Sequence, residues 1–462
     1  MNKPTLQSLI GKRVHFIGIG GAGMSGLARI SLSHGITVSG SDAKDSSVVK
    51  ALQTLGATIS TVHTASNVDG ADLVVYSTAI STSNPEFMRA QELKLTTLTR
   101  AGALSILMSE SKSIAVAGTH GKTTTSSMMA VALQACGADP SFAIGGTITA
   151  SGSNAHRGTG EIFVAEADES DGSFIEYHPY AAIVTNVEHD HVDFFVTPED
   201  VAQAFKDFAA TIAPDGFLTY CADDGGAKAL ASIVTTCALI SYGTDESCDL
   251  RLDSIELEAM GSRARAIWRG KVVGFIELQV PGHHNLLNAA AVLATGLNLG
   301  LPAPELLTGL AVFRGTGRRF ELKGTVHGIR VIDDYGHHPT EIDVTLKAAR
   351  RLAGDGRLIV IFQPHRYSRT KAFSTQFAKA LDMADRAIVL EVYAASEKPI
   401  TGVTSRLITD AMSHGEYIPN FIEVTDSVID SAQPQDVIIT LGAGDVSSLA
   451  PIIVDGLSRR FG

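Results

Sequence analysis

The sequence predicts an α/β protein divided into domains, and three observations carry that prediction. Short apolar runs alternate with longer helical stretches along most of the 462 residues. Glycine, at 44 residues, clusters where such runs would turn into helices. The length is about three times the common domain size, so two or three separate cores are expected.

Taken in order, VHFIGI at 14–19 reads as a first strand, followed by a glycine turn, a helix to about His34 and a second strand over 36–40 that ends at Asp42. That is a βαβ opening. A further strand is expected at 71–76, and 99–108 reads as a connector into a strand at 113–117. Buried strands are expected at 162–165 and 181–185, then a β-leaning tract over 240–280 that could form a small sheet of its own. An alanine-rich helix follows at about 285–299. Beyond Val331, strands at 331–333, 358–362, 386–390 and 437–441 alternate with helices, the pattern of a parallel sheet covered on both faces. These shifts divide the chain into 1–107, 108–313 and 314–462.

A formal charge of -12 argues against nonspecific binding to nucleic acid or to anionic membranes, which requires clustered positive charge. No apolar run approaches the ~20 residues of a membrane span, and the N-terminus lacks a signal-peptide pattern, so a cytoplasmic location is expected. The four cysteines, Cys136, Cys221, Cys237 and Cys248, match neither a zinc site nor a disulfide framework and read as reduced thiols.

The most informative local pattern is GTHGKT. Residues Gly118, Thr119, His120, Gly121, Lys122, Thr123 and Thr124 lie between an apolar strand and a run able to form a helix. Backbone N–H groups at such a helix start attract phosphate oxygens, the lysine adds a point charge, and a threonine hydroxyl can reach magnesium. Val116 stands where a full phosphate-loop motif has its first glycine, so the loop is a shortened variant. Gly18, Gly20 and Gly23 satisfy GxGxxG, and Asp42 follows the next strand, which suggests recognition of a diphosphate. Glycine turns that only allow tight packing are the plainer alternative.

Glu166, Asp168, Glu169 and Asp171 gather after one strand, and EHDH at 188–191 follows another. Hard carboxylate oxygens with one imidazole suit magnesium, which singles out Glu166 and His191; a solvated acidic loop is the plainer alternative. Arg318 and Arg319, Tyr335 to His338 in DDYGHHPTE, and His365, Arg366 and Arg369 in PHRYSRT supply cations and imidazoles in loops. Singly each reads as surface or core; together they could clamp phosphate and carboxylate groups.

Taken together, HFIGIGGAGMSGLA, GTHGKTTT, EADESDGSF, VTNVEHDH, PGHHNLLNAAA, GTGRRFE, DDYGHHPTE and PHRYSRT, with LEVYAASE and LGAGD after them, resemble the Mur ligases of peptidoglycan synthesis in content and order. The resemblance implies an N-terminal Rossmann-like domain for a UDP-sugar, a central P-loop ATPase and a C-terminal Rossmann-like domain that brings the amino acid. It implies ATP and Mg2+ as cofactors, UDP-N-acetylmuramate and L-alanine as substrates, and a carbon–nitrogen ligation through an acyl phosphate. Lys122, Thr123, Glu166 and His191 would form the phosphate and magnesium centre, with Asn285 and Asn288 on the adenine and ribose side. Arg319 and Asp334 would reach ATP from the C-terminal domain. Tyr335, His337, Arg366 and Arg369 would form the amino-acid pocket. Gly20, Gly21, Ala22, Gly23, Met24 and Asp42 would hold the UDP diphosphate.

Several members carry a carbamylated lysine. Here Phe205 aligns with it and Lys206 is its neighbour, so no such lysine is expected. GIGG and DDYGHHP, in place of GICG and DDFAHHP, argue against a recycling ligase that attaches a tripeptide to the same sugar. A nicotinamide dehydrogenase would leave GTHGKT without a task, and a nonhydrolysing nucleotide-binding regulator would show no alanine-dependent turnover. A homodimer is compatible with the sequence.

Overall fold

A computed structural model describes residues 4–77, 80–395 and 397–462, so Ser396 of LEVYAASE and the first three residues of the N-terminal segment lie outside it. Three sheets follow one another along the chain. The first has five parallel strands with Arg13–Ile17 at its centre, paired to Thr37–Ser41 and to Leu73–Tyr76. The apolar side chains of Arg13–Ile17 are buried on both faces, as expected of a strand covered by helices. The segment read as a connector is instead the helix Arg100–Met108. Thr99 starts it by accepting the Gly102 N–H at 2.9 Å, an N-cap that satisfies one of the free donors of the first turn.

The second sheet has ten strands. Lys112–Ala117 lies inside it between Ala181–Val184 and Ile162–Glu166, all parallel. This arrangement delivers the ends of three adjacent strands, and the loops that carry GTHGKT, the acidic cluster and EHDH, to one edge. The 240–280 tract does not form a separate sheet. Tyr242 and Gly243 pair in parallel with Leu250 and Arg251, and Leu250–Leu257, Ser262–Trp268 and Lys271–Leu278 then extend the same sheet as an antiparallel meander. Alternating burial along Ser262–Trp268 fits a meander with one packed face. The helix His283–Asn298 packs its alanines at or near full burial beneath this sheet.

The third sheet has six strands in the order Glu321–Val326, Ile329–Asp334, Val437–Leu441, Leu358–Phe362, Arg386–Val389, Gly415–Tyr417. Leu358–Phe362 and Val437–Leu441 are buried along their whole length. Among the described residues no helix is long and apolar enough to cross a membrane. Cys221 and Cys248 are buried, Cys136 and Cys237 partly so, and all four are free thiols.

Candidate active site

GTHGKT forms a tight loop whose glycines are required by space. Gly118 has φ +132°, and a Cβ there would stand 2.0 Å from Thr185 Oγ1; Gly121, at φ +84°, would meet Asn288 Oδ1 at 2.8 Å. The helix Lys122–Ala135 begins directly after Gly121. Thr119 and His120 spend their N–H groups on the main-chain and side-chain oxygens of Asn186, at 3.1 and 2.8 Å. That leaves the helix N-terminus from Lys122 onward as the part of the loop able to offer backbone N–H groups to an anion.

Lys122 Nζ donates to Gly118 O at 2.6 Å and Thr119 O at 3.0 Å, and lies 2.8 Å from the Glu169 carboxylate. Burial works against its charge, but Glu169 and its acidic neighbours outweigh that and raise its pKa. Thr123 Oγ1 donates to Glu166 Oε1 at 2.9 Å, and Gly145 N–H donates to Glu166 Oε2 at 2.7 Å. His191, held in the left-handed region at φ +50°, lies with Nε2 3.5 Å from Glu169. Thr123, Glu166 and His191 line one cavity, and this set of two hard oxygens and one imidazole fits a magnesium ion. Gly145 keeps it open, since a Cβ there would lie 2.8 Å from Glu166 Oε1.

That cavity, of about 640 Å3, is walled by all three sheets' loops. Ala22 and Gly23 contribute from the first glycine turn, Lys122 and Thr123 from the phosphate loop, and Arg319, Tyr335, His337, His365, Arg366 and Arg369 from the last part of the chain. Asp42 accepts the Gly20 N–H at 2.9 Å and braces the turn. Met24 is 2% exposed in the core, so only its backbone is available there. Arg100, at the start of the capped helix, also faces this space, 3.5 Å from Asp168.

A second cavity of about 290 Å3 adjoins it. Asn186, His284, Asn285, Asn288, Phe313 and Asp334 line it, and Arg319 belongs to both. Asp334 is turned toward its own domain, accepting N–H groups from Phe320 at 2.7 Å and Gly336 at 2.8 Å. Burial raises its pKa. Asn285 Nδ2 donates to Pro281 O at 2.7 Å, fixing the start of its helix.

Between the cavities His120 bridges domains, with Nε2 3.1 Å from Glu188 and Nδ1 3.3 Å from Glu341. Burial opposes its charge, yet the two carboxylates raise its pKa to about 9. Glu341 also lies 3.7 Å from Arg319 and accepts the His337 N–H at 3.0 Å. Burial instead lowers His337 and His365 to about 3, leaving both rings neutral. Sequence reading had singled out none of Asn186, Glu341 and Arg100; Asn186 and Glu341 lie inside the motifs VTNVEHDH and DDYGHHPTE, whereas Arg100 carried no such signal. The aligned Phe205 is fully buried, edge-on to Phe174, whereas Lys206 is exposed.

Three α/β sheets converging on a phosphate-binding loop and a carboxylate–imidazole centre define a multidomain nucleotide-handling enzyme of the P-loop type. Family comparison narrows this: the Mur ligase family catalytic domain matches residues 13–112, the Mur ligase middle domain 116–296 and the Mur ligase glutamate ligase domain 318–444. The chain belongs to the Mur ligase family. It is 49% identical to the UDP-N-acetylmuramate--L-alanine ligase of Paenarthrobacter aurescens over 96% of this chain and 97% of that one. It is 47% identical to the ligase of the same name from Mycobacterium marinum, over 97% and 95% of the two chains. Among solved structures it resembles the UDP-N-acetylmuramate-alanine ligase of Thermotoga maritima, with a TM-score of 0.82, 29% identity and coverage of 97% and 100%. A murein peptide ligase from Psychrobacter arcticus is similar at a TM-score of 0.73 and 25% identity, covering 97% and 99%.

Proposed function

We propose that this chain is an ATP-dependent ligase that joins L-alanine to the lactyl carboxylate of UDP-N-acetylmuramate, the first step in building the peptide stem of peptidoglycan. The observation that carries the reading is near-full-length similarity, at 49% identity, to a ligase of that name. The cavity bounded by the first glycine turn, the phosphate loop and the PHRYSRT loop supports it, because the reaction must bring a sugar nucleotide, ATP and an amino acid to one point. A carboxylate is a poor electrophile. Transfer of the γ-phosphoryl group gives an acyl phosphate; the alanine amine then attacks the acyl carbon and phosphate leaves with the C–O bond electrons.

In this reading Lys122 steadies the negative charge that develops during transfer, and Arg319 approaches it from the opposite domain. Thr123, Glu166 and His191 would hold Mg2+, which supplies charge neutralisation at the phosphates. Asn285 and Asn288 face the nucleoside, Asp334 keeps the segment bearing Arg319 in place, and Tyr335, His337, Arg366 and Arg369 surround the amino acid. The domain limits 1–107, 108–313 and 314–462 follow the same division of labour, with the UDP-sugar held by the first.

Phosphate release from ATP and Mg2+ with UDP-N-acetylmuramate, measured against L-alanine, glycine, L-serine and a tripeptide, tests the assignment. L-Alanine should be used best, with some glycine turnover because one methyl group discriminates by only ~1–3 kcal/mol. Release that depends on the tripeptide rather than on L-alanine would transfer the assignment to the recycling ligase.

A further inference from the structure

We propose that the two arginines of PHRYSRT have separate tasks: Asp190 fixes Arg369 as a permanent positive wall of the amino-acid pocket, and Asp193 is a resident carboxylate that the incoming α-carboxylate displaces from Arg366. The proposal rests on the functional reading above and deepens it by assigning two positioning residues from the central domain.

The two ion pairs differ in kind. Arg369 donates through Nε at 3.0 Å and Nη2 at 2.9 Å to Asp190 Oδ1, and its Nη1 lies 3.4 Å from His365 Nδ1. Both side chains of this pair are almost wholly buried, at 3% and 4% exposure. Asp190 also accepts the His191 N–H at 2.6 Å, so its carboxylate is held against the backbone of its own loop. Breaking such a pair would strand a buried charge, so it stays closed. Arg366 meets Asp193 through Nη1 alone, and the two are 29% and 35% exposed. Water screens that contact and makes it cheap to exchange. Both arginines face the cavity beside Tyr335 and His337, so a small zwitterion entering there meets one fixed cation and one cation holding an exchangeable carboxylate of the ligand's own chemical type.

The two aspartates therefore have opposite effects on alanine binding, which a merely structural role would not produce. Steady-state phosphate release is measured with L-alanine varied at saturating ATP and UDP-N-acetylmuramate. Asp193→Asn removes a competitor and should lower the alanine KM about twofold to fivefold. Asp190→Asn should raise it at least about tenfold, with partial recovery in Asp190→Glu. The ATP KM should stay within about twofold in Asp193→Asn, since Asp193 lines neither cavity. If Asp190→Asn fails to fold, the double variant Asp190→Asn/Arg369→Gln removes both charges and should show the same raised alanine KM. An Asp193→Asn KM at or above the wild-type value overturns the displacement. An Asp190→Asn or double-variant KM within about twofold of wild type overturns the fixed wall. Wild-type protein without alanine-dependent release would overturn the functional reading and this proposal with it.

Discussion

Glu341→Gln removes one of the two charges that grip the phosphate-loop histidine, and the size of the effect follows from the geometry. His120 lies 3.1 Å from Glu188 and 3.3 Å from Glu341. Despite burial, these carboxylates raise its pKa from 6.5 to about 9, a preference for the charged ring of about 3 kcal/mol. With two contacts of similar length and burial still opposing the charge, a neutral amide at 341 should remove more than half of that net preference and lower the ring's pKa by more than about one unit. Because the folded value lies above the unfolded one, the contribution to stability is complete below pH 6.5 and is lost as pH rises through about 9. In the variant the loss should come more than about one pH unit earlier. Histidine labelled with 13C at Cε1, with the His120 signal identified by its absence in His120→Asn, reports the titration directly. A wild-type midpoint at or below pH 7, or a midpoint unmoved by Glu341→Gln, would refute the two-carboxylate clasp.

Three further outcomes are expected. Lys122→Ala, which loses the contacts to Gly118 O, Thr119 O and Glu169, should cut ATP-dependent phosphate release more than about 100-fold; turnover near wild type would remove the lysine from the mechanism. Gly118→Ala places a Cβ 2.0 Å from Thr185 Oγ1 at a φ of +132°, so a marked fall in melting temperature is expected in calorimetry, and an unchanged one would contradict the loop geometry. Glu86 is fully buried in the first domain, and although burial opposes its charge, the His15 ring 3.6 Å away and hydrogen bonds with Ser41, Asn67 and His63 lower its pKa to about 2. Its stabilisation is present above the ordinary 4.5 and lost as pH falls through about 2. Glu86→Ala should cost about 3 kcal/mol at neutral pH and flatten acid unfolding followed by circular dichroism over that range.

What the sequence revealed was mostly local. GTHGKT could be read because a strand, a glycine loop and a helix start are contiguous, and their chemistry is that of backbone N–H groups. The helix at Arg100–Met108 was missed although Thr99 is a good N-cap, because the preceding strand Thr96–Thr99 runs into it without a glycine or proline to mark the change. The 240–280 tract showed its alternation but not its neighbour, since the pairing of Tyr242 with Leu250 that joins it to the main sheet is a tertiary fact. Met24 followed the glycine pattern, yet its position on the helix turns its side chain inward. The arginines of PHRYSRT were recognised as cations, whereas their partners Asp193 and Asp190 lie 173 and 179 residues away, beyond any spacing rule.

Arg319 sits in the connector between the second and third sheets, and that location has a mechanical consequence. Thr316 forms an isolated bridge with Ile148, and Gly317 N–H donates to Thr147 O at 2.9 Å, so the chain is anchored to the central domain up to that point. Arg318 and Phe320, at φ +59° and +49°, then turn it sharply into the third sheet. The guanidinium is thus carried on the short segment that joins the two sheets. Were the third sheet to turn about this segment, the arginine would move through a shorter arc than the loops that carry Arg366 and Arg369, so its place in the proposed ATP site would be the less sensitive to the angle.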